Sequence, residues 1–200
     1  MIPSVEPRIV RLAASHGVVR PKDLEARGIG RANLYRLVEK GLLLRVGRGL
    51  YATPNHDLTA EHALVQVAKR VPAAVVCLLS ALRFQGLTTQ QPAAVWIALP
   101  GKARRPSLDY PRLRVARFSG LALTEGIETH RLEGVEVKVY SPAKTVADCF
   151  KYRNKIGIDV AVEALKDFTR RHRGKADELA YHARICRVQR ILQPYLDAIS

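Results

Sequence analysis

The sequence predicts an α+β chain, with a small N-terminal domain of helices closed by a β-hairpin and a larger mixed α/β domain behind it. Three observations carry this. Over residues 1–54, helical spacing of apolar residues recurs three times and then gives way to two short apolar runs around Gly47-Arg48-Gly49. The middle of the chain alternates apolar and polar residues at a period of two, and the last third returns to helical spacing. No apolar run reaches the length of a membrane span and the N-terminus lacks a signal-peptide pattern, so the expected location is the cytoplasm.

Ile9, Leu12 and Ala13 place a first helix over Val5 to Ser15, stopped by Gly17. Proline favours the first helical position, so Arg20-Pro21 opens a second helix ending at Gly28. Gly30 precedes a third, RANLYRLVEKG, closed by Gly41. LLLRV and GLYAT then form a hairpin with a glycine-rich tip. Helix, helix, turn, helix and hairpin is the order of a winged helix-turn-helix, here over 1–54, with Pro54-Asn55-His56-Asp57 as the link.

The second domain, 55–200, opens with helical spacing from Leu58 to Val71, and VVCLLSALRFQG leads into or forms another helix. AVWIALP reads as a core strand, GKARRPSLDYP as a basic loop and LRVARFS as a second strand. IETHRLEGVEVKVYS reads as two strands joined at Glu133-Gly134. Ser141-Pro142 caps a helix through AKTVADCFKY, and further helices cover about 157–171, 175–184 and 187–198.

Charge narrows the class of partner. The chain has 33 Lys plus Arg against 18 Asp plus Glu, a net charge of +15. Such a balance favours a polyanion, because each neutralised phosphate releases condensed counterions. Residues 1–54 hold ten basic and four acidic side chains, so part of the excess sits where the DNA-reading motif is expected. At about 100° per residue, Leu34, Leu37, Val38 and Gly41 share one side of the third helix. Ala32, Asn33, Arg36 and Lys40 face the other way, with Arg31 and Tyr35 on the flank and Glu39 an unfavourable charge among them. Asn33 and Arg36 offer donors to base edges, Lys40 suits phosphate, and Arg45 and Arg48 of the hairpin suit the backbone or the minor groove.

A second basic stretch runs through Lys102, Arg104 and Arg105 to Arg112 and Arg114. Alternation puts Arg112 and Arg114 on one strand face with Ala116, and Arg117 on the other. This is a candidate second nucleic-acid surface, for flanking DNA or for RNA, with a solvated basic surface as the alternative.

Catalytic patterns are weaker. Glu136 and Lys138 share a strand face with Asp109 upstream, as in magnesium-dependent nucleases, which makes a nuclease with a DNA-targeting winged helix the alternative function. The same alternation arises when Val135, Val137 and Val139 face a core, and that reading is preferred. Ser80 lacks a nucleophile elbow and is expected to bond within its own helix. Cys77, Cys149 and Cys186 are widely spaced, and the six histidines show no paired ligand spacing. No catalytic residue, cofactor or metal is therefore expected. Lys144 and Asp148, four residues apart in SPAKTVADCF, are expected to pair in a structural role.

The wing sequence GLLLRVGRGLYATP, the stretch VVCLLSALRFQGLTTQQPAAVWIALPGKARRP, LRVARFSG and VYSPAKTVADCFKYRNKIGIDVAVEAL together resemble AbiEi-type antitoxins, over nearly the whole chain. The resemblance implies a transcriptional repressor that autoregulates its operon by binding its own promoter as double-stranded DNA. It also implies an antitoxin of a type IV toxin–antitoxin system, counteracting a nucleotidyltransferase-like toxin without requiring a direct complex. The family's DNA-binding roles fall here on Arg31, Asn33, Arg36, Arg45 and Arg48.

Overall fold

The computed structural model describes residues 5–16, 18–54, 61–108 and 111–199. Gly17, most of the link at 55–57, the start of the helix expected from Leu58, and Asp109 lie outside the described residues. Contacts divide the chain into two compact units, Met1–Pro72 with Arg131–Val137, and Ala73–His130 with Lys138–Ser200. The architecture is mixed α/β, with helices at the N-terminus and a sheet in the C-terminal part.

The first unit begins with α1 (Val5–His16), α2 (Pro21–Glu25) and α3 (Ala32–Glu39). Pro21 occupies the first turn of α2, and the Arg20 backbone N–H donates to Asp23 Oδ2 at 2.8 Å, which satisfies a helix-entry donor. Gly28 takes a φ of 69°, the left-handed conformation that lets Ile29 N–H return to the Leu24 carbonyl at 3.0 Å and end the helix. β1 (Leu44–Gly47) and β2 (Leu50–Ala52) pair antiparallel with a bulge between Arg45 and Gly47. Val19 adds a one-residue bridge to Tyr51, with backbone bonds of 2.8 and 3.0 Å. Ile9, Ala13, Leu24, Leu34, Leu37, Leu43 and Tyr51 meet in one apolar cluster, so α1, α2, α3 and β2 each bury one face against the others.

α4 (His62–Arg70) belongs to this unit. Gln66 Nε2 donates to the Val46 carbonyl at 3.1 Å, and the Arg20 guanidinium donates to the Lys69 carbonyl. Asp23 lies between Arg20 (3.1 Å) and Lys69 (3.7 Å). Burial pushes its carboxyl up, but the Arg20 hydrogen bonds and the Lys69 charge more than offset this and hold it below 3.8.

Further along the chain come β3 (Val75–Val76), α5 (Leu78–Phe84), β4 (Val95–Pro100), β5 (Leu113–Phe118), α6 (Leu121–Thr124), β6 (Ile127–Leu132) and β7 (Val135–Tyr140). The strands form a five-stranded sheet in the order β5-β4-β3-β7-β6. β4 runs parallel to β5, β3 antiparallel to β4 and parallel to β7. Glu133 and Gly134 join β6 to β7 at φ values of 48° and 75°, both in the left-handed region that a two-residue hairpin turn demands. Helices follow: α7 (Pro142–Lys151), α8 (Arg153–Ile156), α9 (Ile158–Arg171), α10 (Ala176–Ile185) and α11 (Gln189–Asp197). Ser141 Oγ accepts the Lys144 N–H at 3.4 Å and Pro142 fills the first turn, so the expected cap of α7 is present.

α7 is the buried axis of the second unit. Val146, Ala147, Cys149 and Phe150 pack with Leu165 and Phe168 of α9 and Leu179 and Ala183 of α10. Lys144 and Asp148 are fully buried there and paired at 2.5 Å. The ammonium lies 4.1 Å from the Tyr140 ring centroid and 4.7 Å from that of Phe118, while Asp148 Oδ1 accepts the Cys186 thiol at 3.1 Å. Burial drives the Asp148 carboxyl above the ordinary range even with Lys144 against it. Ser80, expected to bond within α5, instead accepts the Trp96 backbone N–H at 2.9 Å and ties α5 to β4. Among the described residues no helix is long and apolar enough to cross a membrane.

Candidate nucleic-acid interface

The apolar stripe of α3 orients its polar face. Leu34 and Leu37 anchor the helix in the core, which turns Arg31, Ala32, Tyr35, Arg36, Glu39 and Lys40 to the surface. Tyr35 is 56% exposed and stands edge-on to Tyr51, ring centroids 6.5 Å apart. Burial raises the Tyr51 hydroxyl, with Tyr35 adding to the rise and Arg45 opposing it, so the base of α3 and the hairpin share one electrostatic neighbourhood.

Three expected contact residues have local engagements. Asn33 is half-buried and donates its amide to the Gly30 carbonyl at 2.9 Å. Lys40 pairs with Glu6 of α1 at 2.6 Å. Arg45 Nε reaches the Gly47 carbonyl at 3.4 Å, which holds its guanidinium along the hairpin. Arg45 and Arg48 are exposed, and the bulge in β1 increases the local twist that aims them. Gly47 sits where a Cβ would come within 3.1–3.2 Å of the Gln66 amide, so α4 packs directly on the hairpin.

Sequence reasoning missed a second basic concavity in this unit. Arg8, Arg11 and Arg27 line it with Leu12, Ser15 and Ile29. Arg8 and Arg11 share an outward face of α1 at a three-residue spacing, a signal that was present in the sequence.

In the second unit, Lys102, Arg104, Arg105, Arg112 and Arg114 are all exposed. Of these, Arg105 and Arg114 line a common pocket, which they share with Trp96, Val115, Arg117 and Lys155. Arg117, expected on the opposite strand face, lines this pocket too, because β5 is an edge strand and both its faces border the same rim. Glu136 and Lys138 are exposed between buried Val135, Val137 and Val139, the alternation of a strand with one face on the core. Among the described residues no group of three His, Cys, Asp or Glu side chains is arranged to hold a metal ion.

Residues 7–54 match the family model described as transcriptional regulator, AbiEi antitoxin. The match runs from Pro7 in α1 to beyond the end of the hairpin and leaves the LLSAL and SPAKTVADCF segments outside it. The crystal structure of RV2827C protein from Mycobacterium tuberculosis is similar in fold, with a TM-score of 0.52 at 17% sequence identity, over 98% of this chain and 82% of that one. Among curated proteins none matches this chain in sequence.

Proposed function

From an N-terminal segment that carries the signature of AbiEi antitoxin transcriptional regulators, we propose that this chain is a DNA-binding repressor of its own promoter. In this reading α1–α3 and the β1–β2 hairpin are a winged helix-turn-helix, with its domain at 1–54 and an antitoxin domain at 55–200. The larger domain counteracts a nucleotidyltransferase-like toxin in a type IV system, with no stable complex needed. The function is non-enzymatic and cytoplasmic.

The observation that carries the reading is the exposed, donor-rich face of α3 beside exposed Arg45 and Arg48 of the hairpin. Eight helical residues span about 12 Å, comparable to the width of the major groove. Arg36 and Arg31 supply planar guanidinium forks suited to guanine edges. Asn33 retains its carbonyl oxygen and one amide hydrogen for a base, and Ala32 allows close approach. Tyr35 sits at the rim, where its hydroxyl can meet phosphate. Lys40 must exchange Glu6 for phosphate and so contributes less than an unpaired lysine would.

The test is a gel shift and footprint of the purified chain on its own upstream DNA, at two salt concentrations with competitor. A discrete footprint that Arg36→Ala abolishes supports the reading. Salt-sensitive smearing with no footprint, unchanged in Arg36→Ala, rejects it in favour of general polyanion affinity.

A further inference from the structure

The second unit holds a pocket that gathers two residues of the basic stretch, Arg105 and Arg114, with side chains the sequence did not connect to them. It is an open concavity of about 390 Å³ beside the edge strand β5, lined by Trp96, Arg105, Arg114, Val115, Arg117 and Lys155. Small-ligand sites run from roughly 300 to 1,000 Å³, so this one suits a ligand larger than a lone phosphate.

The residues come from four separate stretches of chain, with Trp96 on β4. Arg105 lies in the loop after β4 and donates to the Leu113 carbonyl at 3.4 Å. Arg114 and Arg117 lie on β5, and Arg117 donates to the Pro100 carbonyl at 2.8 Å, which fixes one of its nitrogens and leaves the rest of the fork to the pocket. Lys155 comes from α8 and reaches over the Tyr152 ring at 5.5 Å. The Tyr152 hydroxyl donates to the Arg117 carbonyl at 2.5 Å, so α8 and β5 are held together.

Four cations meet here, and among the described residues no carboxylate lines the pocket or pairs with any of them. Gathering like charges is unfavourable unless an anion accompanies them. The Arg114 guanidinium lies 5.3 Å from the centroid of Trp96, a ring that is 6% exposed. The indole therefore supports Arg114 and is not available as a stacking platform for a base. Recognition by charge, with little contact to a base, points to phosphates in series.

We propose that this pocket binds the polyphosphate group of a nucleotide, either a free nucleoside triphosphate or the 5′-triphosphate end of an RNA strand. Arg105, Arg114, Arg117 and Lys155 are the phosphate ligands, and Trp96 positions Arg114. The proposal is independent of DNA reading by α3.

Trp96 is the chain's single tryptophan, so its emission reports this pocket alone. The full-length protein is titrated with ATP, with a short 5′-triphosphorylated RNA and with the same RNA bearing a 5′-hydroxyl, at low and moderate salt. A saturable emission change with ATP identifies a free nucleotide as the source, and one with the triphosphorylated RNA alone identifies a strand end. Inorganic tripolyphosphate competes in either case. Arg117→Gln and Lys155→Gln each weaken binding about tenfold or more, since each removes a charge-assisted contact. Arg36→Ala, in the other unit, leaves the titration unchanged. Both pocket variants alter exposed or half-exposed side chains, and circular dichroism verifies that they fold. No response to ATP or the triphosphorylated RNA overturns the proposal. So does binding that persists in both pocket variants, or that tripolyphosphate cannot displace.

Discussion

Replacing Asp148 by Asn should destabilise the second unit more than any surface change could. Both members of the Lys144–Asp148 pair are 0% exposed, and the ammonium is enclosed by Asp148 and the rings of Tyr140 and Phe118. Removing one partner leaves a buried charge without compensation, a loss of about 3–5 kcal/mol. The unit has about 120 residues, and for that size each kcal/mol moves Tm by roughly 4 °C, so the midpoint should fall by roughly 12–20 °C. The matched double variant Lys144→Met, Asp148→Leu removes both charges and keeps the volume. It should recover most of the loss, to within about 1–2 kcal/mol of the parent or beyond it. Urea and thermal unfolding followed by Trp96 emission read the second unit directly. A single variant that loses less than about 1 kcal/mol would refute the picture of a desolvated pair. A double variant as unstable as the single one would relocate the cost to lost packing and the Cys186 hydrogen bond.

His182 is 4% exposed, and burial followed by the Lys144 charge holds its pKa below 6.5. The folded state therefore resists a proton that the unfolded chain accepts. Its stabilisation is complete above pH 6.5 and is lost as pH falls through the lower folded value, with a slope of up to about 1.4 kcal/mol per pH unit. Denaturant midpoints between pH 7.5 and 5.5 should show this slope, and His182→Gln should flatten it; equal slopes would exclude His182 as the source. Gly126 takes a φ of 71°, and a Cβ there would lie 2.8 Å from Lys144 Cβ and 2.9 Å from His182 Cε1, so Gly126→Ala should cost about 2–4 kcal/mol. Gly28→Ala, with φ of 69° but nothing within 4 Å, should cost only about 1–2 kcal/mol, and equal losses in thermal melts would refute the steric account. On DNA, Glu6→Gln frees Lys40 and should steepen the salt dependence of binding by about one unit of log–log slope. An unchanged slope would mean that Lys40 does not reach phosphate.

The local elements were legible because local chemistry decides them. Ser141-Pro142 announces α7, Glu133-Gly134 announces the β6–β7 turn, and Leu34 with Leu37 orients α3. Features that depend on distant partners were not. β3 has only two residues, Val75 and Val76, and is a strand because β4 and β7 flank it. Ser80 has a hydroxyl that would serve its own helix equally well, and only the fold brings Trp96 N–H to it. Lys40 has the outward angle expected of a phosphate contact, yet Glu6, 34 residues earlier, claims it. Lys155 lies far from the basic loop in sequence, so no charge count over 100–118 could have included it in the pocket. The Lys144–Asp148 spacing showed that the two could pair, whereas their complete burial follows from α9 and α10 packing over α7.

All three cysteines lie in the second unit and none in the first, and each is buried. Burial pushes the Cys77 and Cys149 thiols well above the ordinary range and Cys186 to about 12, so almost no thiolate exists in the folded state at neutral pH. The molecule thereby contains its own clock. A thiol-specific reagent added to intact protein reacts only during openings of this core, at a rate set by how often they occur. Breathing of the larger unit can thus be timed while the helices and hairpin of the first stay chemically silent, with no label introduced into the chain.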